Sequence, residues 1–439
     1  MYNHKDFFKF VIPSILAFAL SGVYTIVDGF FVGQSLGDIG LASITLGYPV
    51  AAVIQAIGTG IGLSGAIRFT IFNAQKKTKE QKECFGGTTL LMLLCGALIT
   101  ALLIGLLYPL LRLLGAEGEI LRLTAEYTRI IAIGTIFQIL ATGFIPFIRN
   151  MGGATFAMAA MIIGFVSNII GDYLLVWVYG WGMAGAAWAT IAGQALTMLS
   201  AVIYLAMKKI GFRLPAMSGL PGFFGSVLKV AAAPFGLAFT PTIIMILMNR
   251  FLLLYGSEQS IAIYSCIGYV TAVVYLLLQG IGDGSQPLIS QYYGRKNVVV
   301  MKQIRSLAYK TGAVIIGICM VLLFLSRRHI GVLFGASFEA SQGVAAYLPF
   351  FLATMLFLSF VRITTSYFYA TEQTGFSYVL VYAEPLLLLV ILLLAPPVIG
   401  LNGVWAAVPL AQFLTWCIAV FTKHMVDRGM AAAELKGEA

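Results

Sequence analysis

Uninterrupted apolar runs dominate this chain, among them VIPSILAFALSGVYTIVDGFFVG and AMAAMIIGFVSNIIGDYLLVWVYG. About 20 apolar residues, rising about 1.5 Å each, cross the ~30 Å hydrocarbon core of a bilayer. Hydrocarbon offers no water to the backbone N–H and C=O groups. A continuous run of this length therefore has one stable conformation there, the α-helix. A transmembrane β-barrel would instead need segments of about ten residues with alternating polarity. The expected fold class is all-α and polytopic. Of 439 residues, 60% are hydrophobic and only 10% charged, with mean hydropathy +0.95. A soluble domain carries about 25% charged residues. The 47 glycines suit the close helix approach of membrane bundles.

Twelve spans are predicted, at roughly 7–33, 39–67, 86–111, 123–148, 154–179, 182–207, 226–255, 260–291, 307–334, 343–370, 377–399 and 401–424. An even number puts both termini on one face. Most of the 27 Lys and Arg then fall on that face, including Lys76, Lys77, Lys79, Lys82, Lys208, Lys209, Arg295 and Lys296. The other face keeps Arg112, Arg122, Arg129, Arg327 and Arg328. The positive-inside rule makes the basic face cytoplasmic. The expected location is the inner cell membrane, multi-pass, with cytoplasmic termini. The net charge of +10 is read as basic loops against anionic lipid, and no nucleic-acid partner is expected. The first run is too long for a signal-peptide core and lacks a cleavage site.

The second half echoes the first. GYPVAAVIQAIGTGIG from Gly47 parallels GYVTAVVYLLLQGIGDG from Gly268, and each precedes a short basic loop. GMAGAAWATIAGQ, ending at Gln194, parallels LNGVWAAVPLAQ, ending at Gln412. These pairs stand at a roughly constant offset that spans six helices, so the repeats are parallel. The expected organisation is an N-terminal lobe at 1–208, a basic Gly/Pro-containing linker at 209–225, a C-terminal lobe at 226–425 and a tail at 426–439. Two-lobe transporters of this kind bind substrate near the midplane and alternate their access.

Charged residues inside such runs are costly. A carboxylate at a helix centre is disfavoured by ~2.5–3.5 kcal/mol on an insertion scale, and it persists where an ion, proton or substrate needs it. Asp28 and Asp172 are two such residues. Asn168 and Asp172 are four apart and share one helix face, and Thr190 follows on the next helix. Carboxylate, amide and hydroxyl oxygens suit a hard monovalent cation, and the carboxylates could instead hold a proton. A structural role, with Asp28 capping a helix and Asn168 and Asp172 joining helices, is the alternative. The second half carries Arg250, Asp283, Arg362, Glu372 and Glu384. Glu384 precedes Pro385, which can bend its helix, and could meet cationic substrates in a cavity with Arg362, Arg250 and Asp283. The alternative is ion pairing, of Glu384 with Arg362 or Arg250 and of Arg250 with Asp283.

The scattered cysteines (Cys84, Cys95, Cys266, Cys319, Cys417) show no metal-binding or disulfide spacing. No Gly-rich loop precedes a Lys-Ser/Thr, so ATP drive is unsupported and no cofactor is expected.

YTIVDGFFVGQSLG, SNIIGDYLLVWVYGWGMAGAAWATIAGQ and GIGDGSQPLISQYYGRKN together resemble the multidrug and toxic compound extrusion (MATE) transporters, in a DinF-like or related branch. The resemblance covers nearly the whole chain. It implies twelve helices in two lobes and export of cationic amphipathic drugs or toxins in exchange for H+ or Na+. It implies a cation-coupling site at Asp28, Asn168, Asp172 and Thr190, where Na+ could be held, with Tyr24 beside it and Pro13 bending the first helix. A monomer in the lipid bilayer is expected. Where many relatives carry an acidic residue or an Arg, this chain has Asn249–Arg250 or Glu384. A flippase for lipid-linked saccharides or peptidoglycan precursors is the main alternative, kept open by Arg250 and Arg362. A membrane enzyme is disfavoured by the few histidines (His4, His329, His424) and short loops.

Overall fold

The computed structural model describes residues 3–334 and 336–435, and the side chains of 25, 26, 28, 29, 38, 41, 258 and 431–435 lie outside that description. Among the described residues the chain is all-helical: α1 (His4–Ala74), α2 (Thr78–Leu113), α3 (Gly118–Asn150), α4 (Ala154–Gly171), a π-helix (Asp172–Val178), α5 (Gly182–Met207), a 3-10 turn (Met217–Gly219), α6 (Leu220–Tyr255), α7 (Glu258–Gly294), α8 (Val298–Leu333), α9 (Phe338–Ala370), α10 (Thr374–Leu394), the single turn α11 (Pro396–Ile399) and α12 (Leu401–Leu435). Twelve stretches are long and apolar enough to cross a membrane.

The first two spans are joined without a loop. α1 runs through both, and its helical backbone breaks at Gly37, with φ 62° and ψ −152°. That conformation is readily open only to glycine. Pro13 sits within helical backbone earlier in α1.

The chain forms two compact units, His4–Phe239 and a second from Thr240 onward, so α6 contributes its first part to one and its last part to the other. In the first unit α3 packs on α1, α2 and α5, and α4 packs on α5. The stretch after α5 packs there too. Arg213 pairs with Glu83 at 3.2 Å, Phe212 meets the edge of Phe85, and Ser64 donates to the Val227 carbonyl at 2.8 Å. In the second unit α9 packs on α7, α8 and α12, and α10 packs on α12. Outward faces are apolar, as at Leu98, Val314, Val321 and Leu325. Together with the twelve spans they make this a multi-pass membrane protein.

Backbone turns repeat between the units. α1 ends with Lys76 at φ 60°, and α7 ends with Lys296 at φ 58°. At the first end, the Lys76 N–H donates to Asn73 and the Lys77 N–H to Phe72. At the second, Lys296 donates to Tyr293 and Asn297 to Tyr292. The ends of α3 and α9 match in the same way, at Gly152 (φ 85°) and Glu372 (φ 54°). Each is the Schellman arrangement, a left-handed residue closing the last helical carbonyls. Lys76 and Lys296 stand at the same offset as Gly152 and Glu372, so the repeat seen in the sequence is also written in the backbone.

Lipid tails are as apolar as leucine, so helix association in a bilayer relies on close packing rather than on expulsion of water. The glycines supply it. A Cβ on Gly62 would stand 2.2 Å from Gly143 Cα, whereas a Cβ on Gly105 would meet nothing within 4 Å. Gly62→Ala is expected to push α1 from α3, at a cost of about 2–3 kcal/mol or more, within the range of severe overpacking. Gly105→Ala is expected to be neutral. Thermal unfolding of both variants in detergent checks this, and equal melting temperatures would refute it.

Candidate functional site

The first unit brings three of the sequence-selected side chains together. Asp172 is fully buried, Asn168 is 2% exposed and Thr190 is 9% exposed. Asn168 lies on the last turn of α4, and Asp172 opens the π-helix that follows. In that helix the Tyr179 N–H reaches back to the Leu174 carbonyl at 2.8 Å. The wider turn inserts an extra residue into the helix and re-aims the side chains around it, a device common at functional sites. Small residues bring α4 against α5. A Cβ on Gly193 would lie 2.6 Å from the Gly164 carbonyl oxygen, and one on Gly171 would lie 2.8 Å from Ala189 Cβ. This close approach is what places Thr190 beside Asn168.

The Asn168 amide links the other two groups. With its nitrogen toward Asp172 it donates to Oδ2 at 3.2 Å, and its oxygen accepts from the Thr190 backbone N–H at 3.1 Å. Turned over, the nitrogen meets Thr190 Oγ1 at 3.4 Å. The Thr190 hydroxyl donates to the Ala186 carbonyl at 3.0 Å, which leaves its lone pairs free to accept.

A narrow cleft with about 10 Å³ of free space adjoins these groups, lined by Tyr24, Gly164, Phe165, Asn168, Thr190, Gly193, Gln194 and Thr197. The Tyr24 and Phe165 rings stack, 5.1 Å between centroids and 9° between planes. The expected neighbourhood of Tyr24, Asn168 and Thr190 therefore forms. The Asp28 side chain lies outside the described residues. Phe165, Gln194 and Thr197 were not among the sequence-selected residues. For Gln194 the signal was available, since it closes the repeated motif that ends at Gln412 in the second half.

The second-unit residues do not form one cluster. Arg250 is exposed. Asp283 is 2% exposed and accepts from Gln279 Nε2 at 2.8 Å and from the Tyr369 hydroxyl at 3.2 Å. The alternative Arg250–Asp283 ion pair does not form: Gln279 of α7 and Tyr369 of α9 donate to the carboxylate, while Arg250 faces outward. Glu384, 5% exposed, is not ion-paired with Arg362 or Arg250 either. It accepts from the Tyr275 hydroxyl at 3.1 Å and from Gln412 Nε2 at 3.3 Å. The Arg362 guanidinium lies 4.6 Å over the Tyr275 ring, a cation–π contact that draws its charge toward the aromatic face. Glu372 is half-buried in the left-handed turn after α9.

Comparison with known proteins gives the family and the fold. The MatE family profile matches residues 13–174 and 235–394. Over 431 residues the chain is 25% identical to the multidrug export protein MepA of Staphylococcus saprophyticus, covering 96% of this chain and 94% of that one. It is 22% identical to MepA of Staphylococcus aureus over 429 residues, covering 96% and 94%. Among solved structures, an outward-facing multidrug resistance MATE family transporter superposes with a TM-score of 0.90 at 21% identity, covering 98% of this chain and 96% of that one. A transporter of the MOP superfamily from Pyrococcus furiosus, described as having a binding pocket of reversed polarity, gives 0.89 at 21% identity over 97% and 96%. The family profile spans both halves, including the helix that carries Asn168 and Asp172, and on that ground the chain belongs to the MatE family of membrane transporters.

Proposed function

We propose that this protein is a secondary antiporter that exports cationic amphipathic compounds in exchange for H+ or Na+. The observation that carries the reading is the fully buried Asp172, joined to Asn168 beside a cleft lined by stacked aromatic rings. A carboxylate kept at that cost is retained for exchange with an ion or proton. The MepA relatives are multidrug exporters by name, which supports the substrate class. Flat cations gain from aromatic faces through cation–π attraction.

The mechanism follows from the amide. With Asp172 ionised and no cation present, Asn168 donates to it and holds the end of α4 against α5. A Na+ ion draws the Asn168 oxygen and the Thr190 lone pairs inward. A proton on Asp172 instead removes the charge. Either event changes how α4, the π-helix and α5 fit together, and that change in fit is the step that links ion binding to substrate release. Na+ and H+ are distinguished by whether Asn168 and Thr190 act as ligands. The chain is read as a monomer in the cell membrane with both termini cytoplasmic, a topology supported by the distribution of Lys and Arg.

In proteoliposomes loaded with a fluorescent cationic dye, Asp172→Asn is expected to lower gradient-driven efflux at least tenfold, about 1.4 kcal/mol of coupling, with the melting temperature kept. Unchanged efflux would remove Asp172 from the mechanism. If Na+ is the coupling ion, Thr190→Val raises the half-saturating Na+ concentration about tenfold; if H+ is, efflux driven by a pH gradient alone is kept. For topology, Thr78→Cys in a variant lacking the five cysteines is expected to react with a membrane-impermeant thiol reagent only after the cells are opened. Labelling in intact cells would reverse the orientation.

A further inference from the structure

The stretch between α5 and α6 carries apolar side chains that no helix covers. Phe212 is 58% exposed, Leu214 43% and Met217 82%. An exposed leucine on a spanning helix faces hydrocarbon. These three stand on non-helical backbone and on the 3-10 turn, so their exposure needs another account. The stretch is held against α2. Arg213 pairs with Glu83 at 3.2 Å, and the Phe212 ring meets Phe85. A Cβ on Gly86 would lie 2.2 Å from the Arg213 carbonyl oxygen, and one on Gly211 would lie 2.8 Å from Lys82 Cδ. These contacts fix its depth. From Gly86 to its end at Leu113, α2 runs ~42 Å, and the whole of α5 runs ~39 Å, at about 1.5 Å per residue. A bilayer measures ~30 Å across its hydrocarbon and ~40–45 Å with its headgroup regions. The stretch therefore lies at the level of the headgroups.

The same face is basic. Residues 76–83 hold four lysines and two glutamates, and residues 208–213 hold two lysines and one arginine. The approach of Gly211 to Lys82 sets these two segments side by side. Glu83 is engaged by Arg213. Lys76, Lys77, Lys79, Lys82, Lys208 and Lys209 are exposed, and none of the six forms an ion pair among the described residues. The second unit uses the matching place differently. There the buried Arg305 of α8 pairs with Asp427 of α12 at 2.8 Å, and Lys423 pairs with the same carboxylate at 2.9 Å. Charge joins helix to helix in the second unit and faces outward in the first. A soluble anion would answer the lysines but not Phe212, Leu214 and Met217. A zwitterionic lipid would answer the apolar side chains but not the excess of positive charge. An anionic phospholipid answers both, since its phosphate oxygens accept from ammonium groups while its acyl chains receive apolar side chains. We propose that residues 76–83 and 208–217 form a binding surface for anionic phospholipid headgroups, with Phe212, Leu214 and Met217 inserted among the upper acyl chains. The surface works without a coupling ion and stands apart from the site at Asp172.

Nanodiscs of phosphatidylcholine that contain a fixed fraction of brominated lipid test this. In a variant lacking the five cysteines, Met217→Cys carries a fluorophore that bromine quenches on contact. Brominated phosphatidylglycerol is expected to quench it at least threefold more than brominated phosphatidylcholine at equal mole fraction. With Lys82→Gln, Lys208→Gln and Lys209→Gln together, the two lipids are expected to quench alike, because each lysine near an anionic surface contributes about fivefold in binding. In the unlabelled full chain in detergent, added phosphatidylglycerol is expected to raise the melting temperature, and the triple variant to need at least ten times more lipid for half the effect. Absence of quenching by either lipid overturns the proposal, as does equal quenching before the lysines are changed. Loss of the phosphatidylglycerol preference on adding soluble glycerophosphoglycerol would make this a site for free anions and overturn it too. If the labelled variant does not fold, the unlabelled chain decides: a melting temperature that responds equally to both lipids overturns the proposal.

Discussion

Close contact between helix backbones is the constraint on which the rest of this structure depends. In hydrocarbon the hydrophobic effect does not draw helices together, so cohesion comes from packing and from hydrogen bonds worth about 0.6 kcal/mol each on average. Gly62 against Gly143 sets α1 on α3, and Gly164 against Gly193 sets α4 on α5. The second seam also brings the candidate site together. Asn168 and Thr190 can share an amide only where α4 and α5 touch at glycine. A side chain at Gly193 would meet the Gly164 carbonyl oxygen at 2.6 Å and separate Asn168 from Thr190.

The two units share a backbone repeat but treat their carboxylates differently. Asp172 accepts from the nitrogen of the Asn168 amide, whose oxygen is held by the Thr190 backbone N–H. Glu384 faces a phenol and an amide nitrogen, with the amide held by Thr354. The difference lies in the polarity of a few hydrogen bonds rather than in the architecture.

Much of this architecture is legible in the amino-acid chain. The spans, the absence of a phosphate loop and the parallel repeat follow from hydropathy and motif spacing, and the repeat reappears as matched left-handed turns at Lys76 and Lys296 and at Gly152 and Glu372. The i, i+4 relation of Asn168 and Asp172 puts both on one face, and they do meet. Pairings among the second-half charges are not legible. Arg250 and Asp283 look like partners because buried charges are normally paired, yet Gln279 and Tyr369 satisfy Asp283 without Arg250. Polar neutral side chains can replace a counter-charge, and a sequence does not say which will face it. Thr197 and Thr354 escape a sequence reading for the same reason: with threonines spread over most of the spans, their type is uninformative until their direction is known.

The sequence by itself determined that this chain crosses a membrane as helices, that it does so in two matching halves, and that Asp172 and Glu384 sit where charge is costly. Those conclusions need only hydrocarbon thickness, backbone hydrogen bonding and the cost of burying a carboxylate. The tertiary structure decided what each carboxylate faces. That depends on which helix faces touch, as where Gly164 meets Gly193 and where Thr354 donates to Gln412. These are contacts between residues far apart along the chain, and no local pattern encodes them.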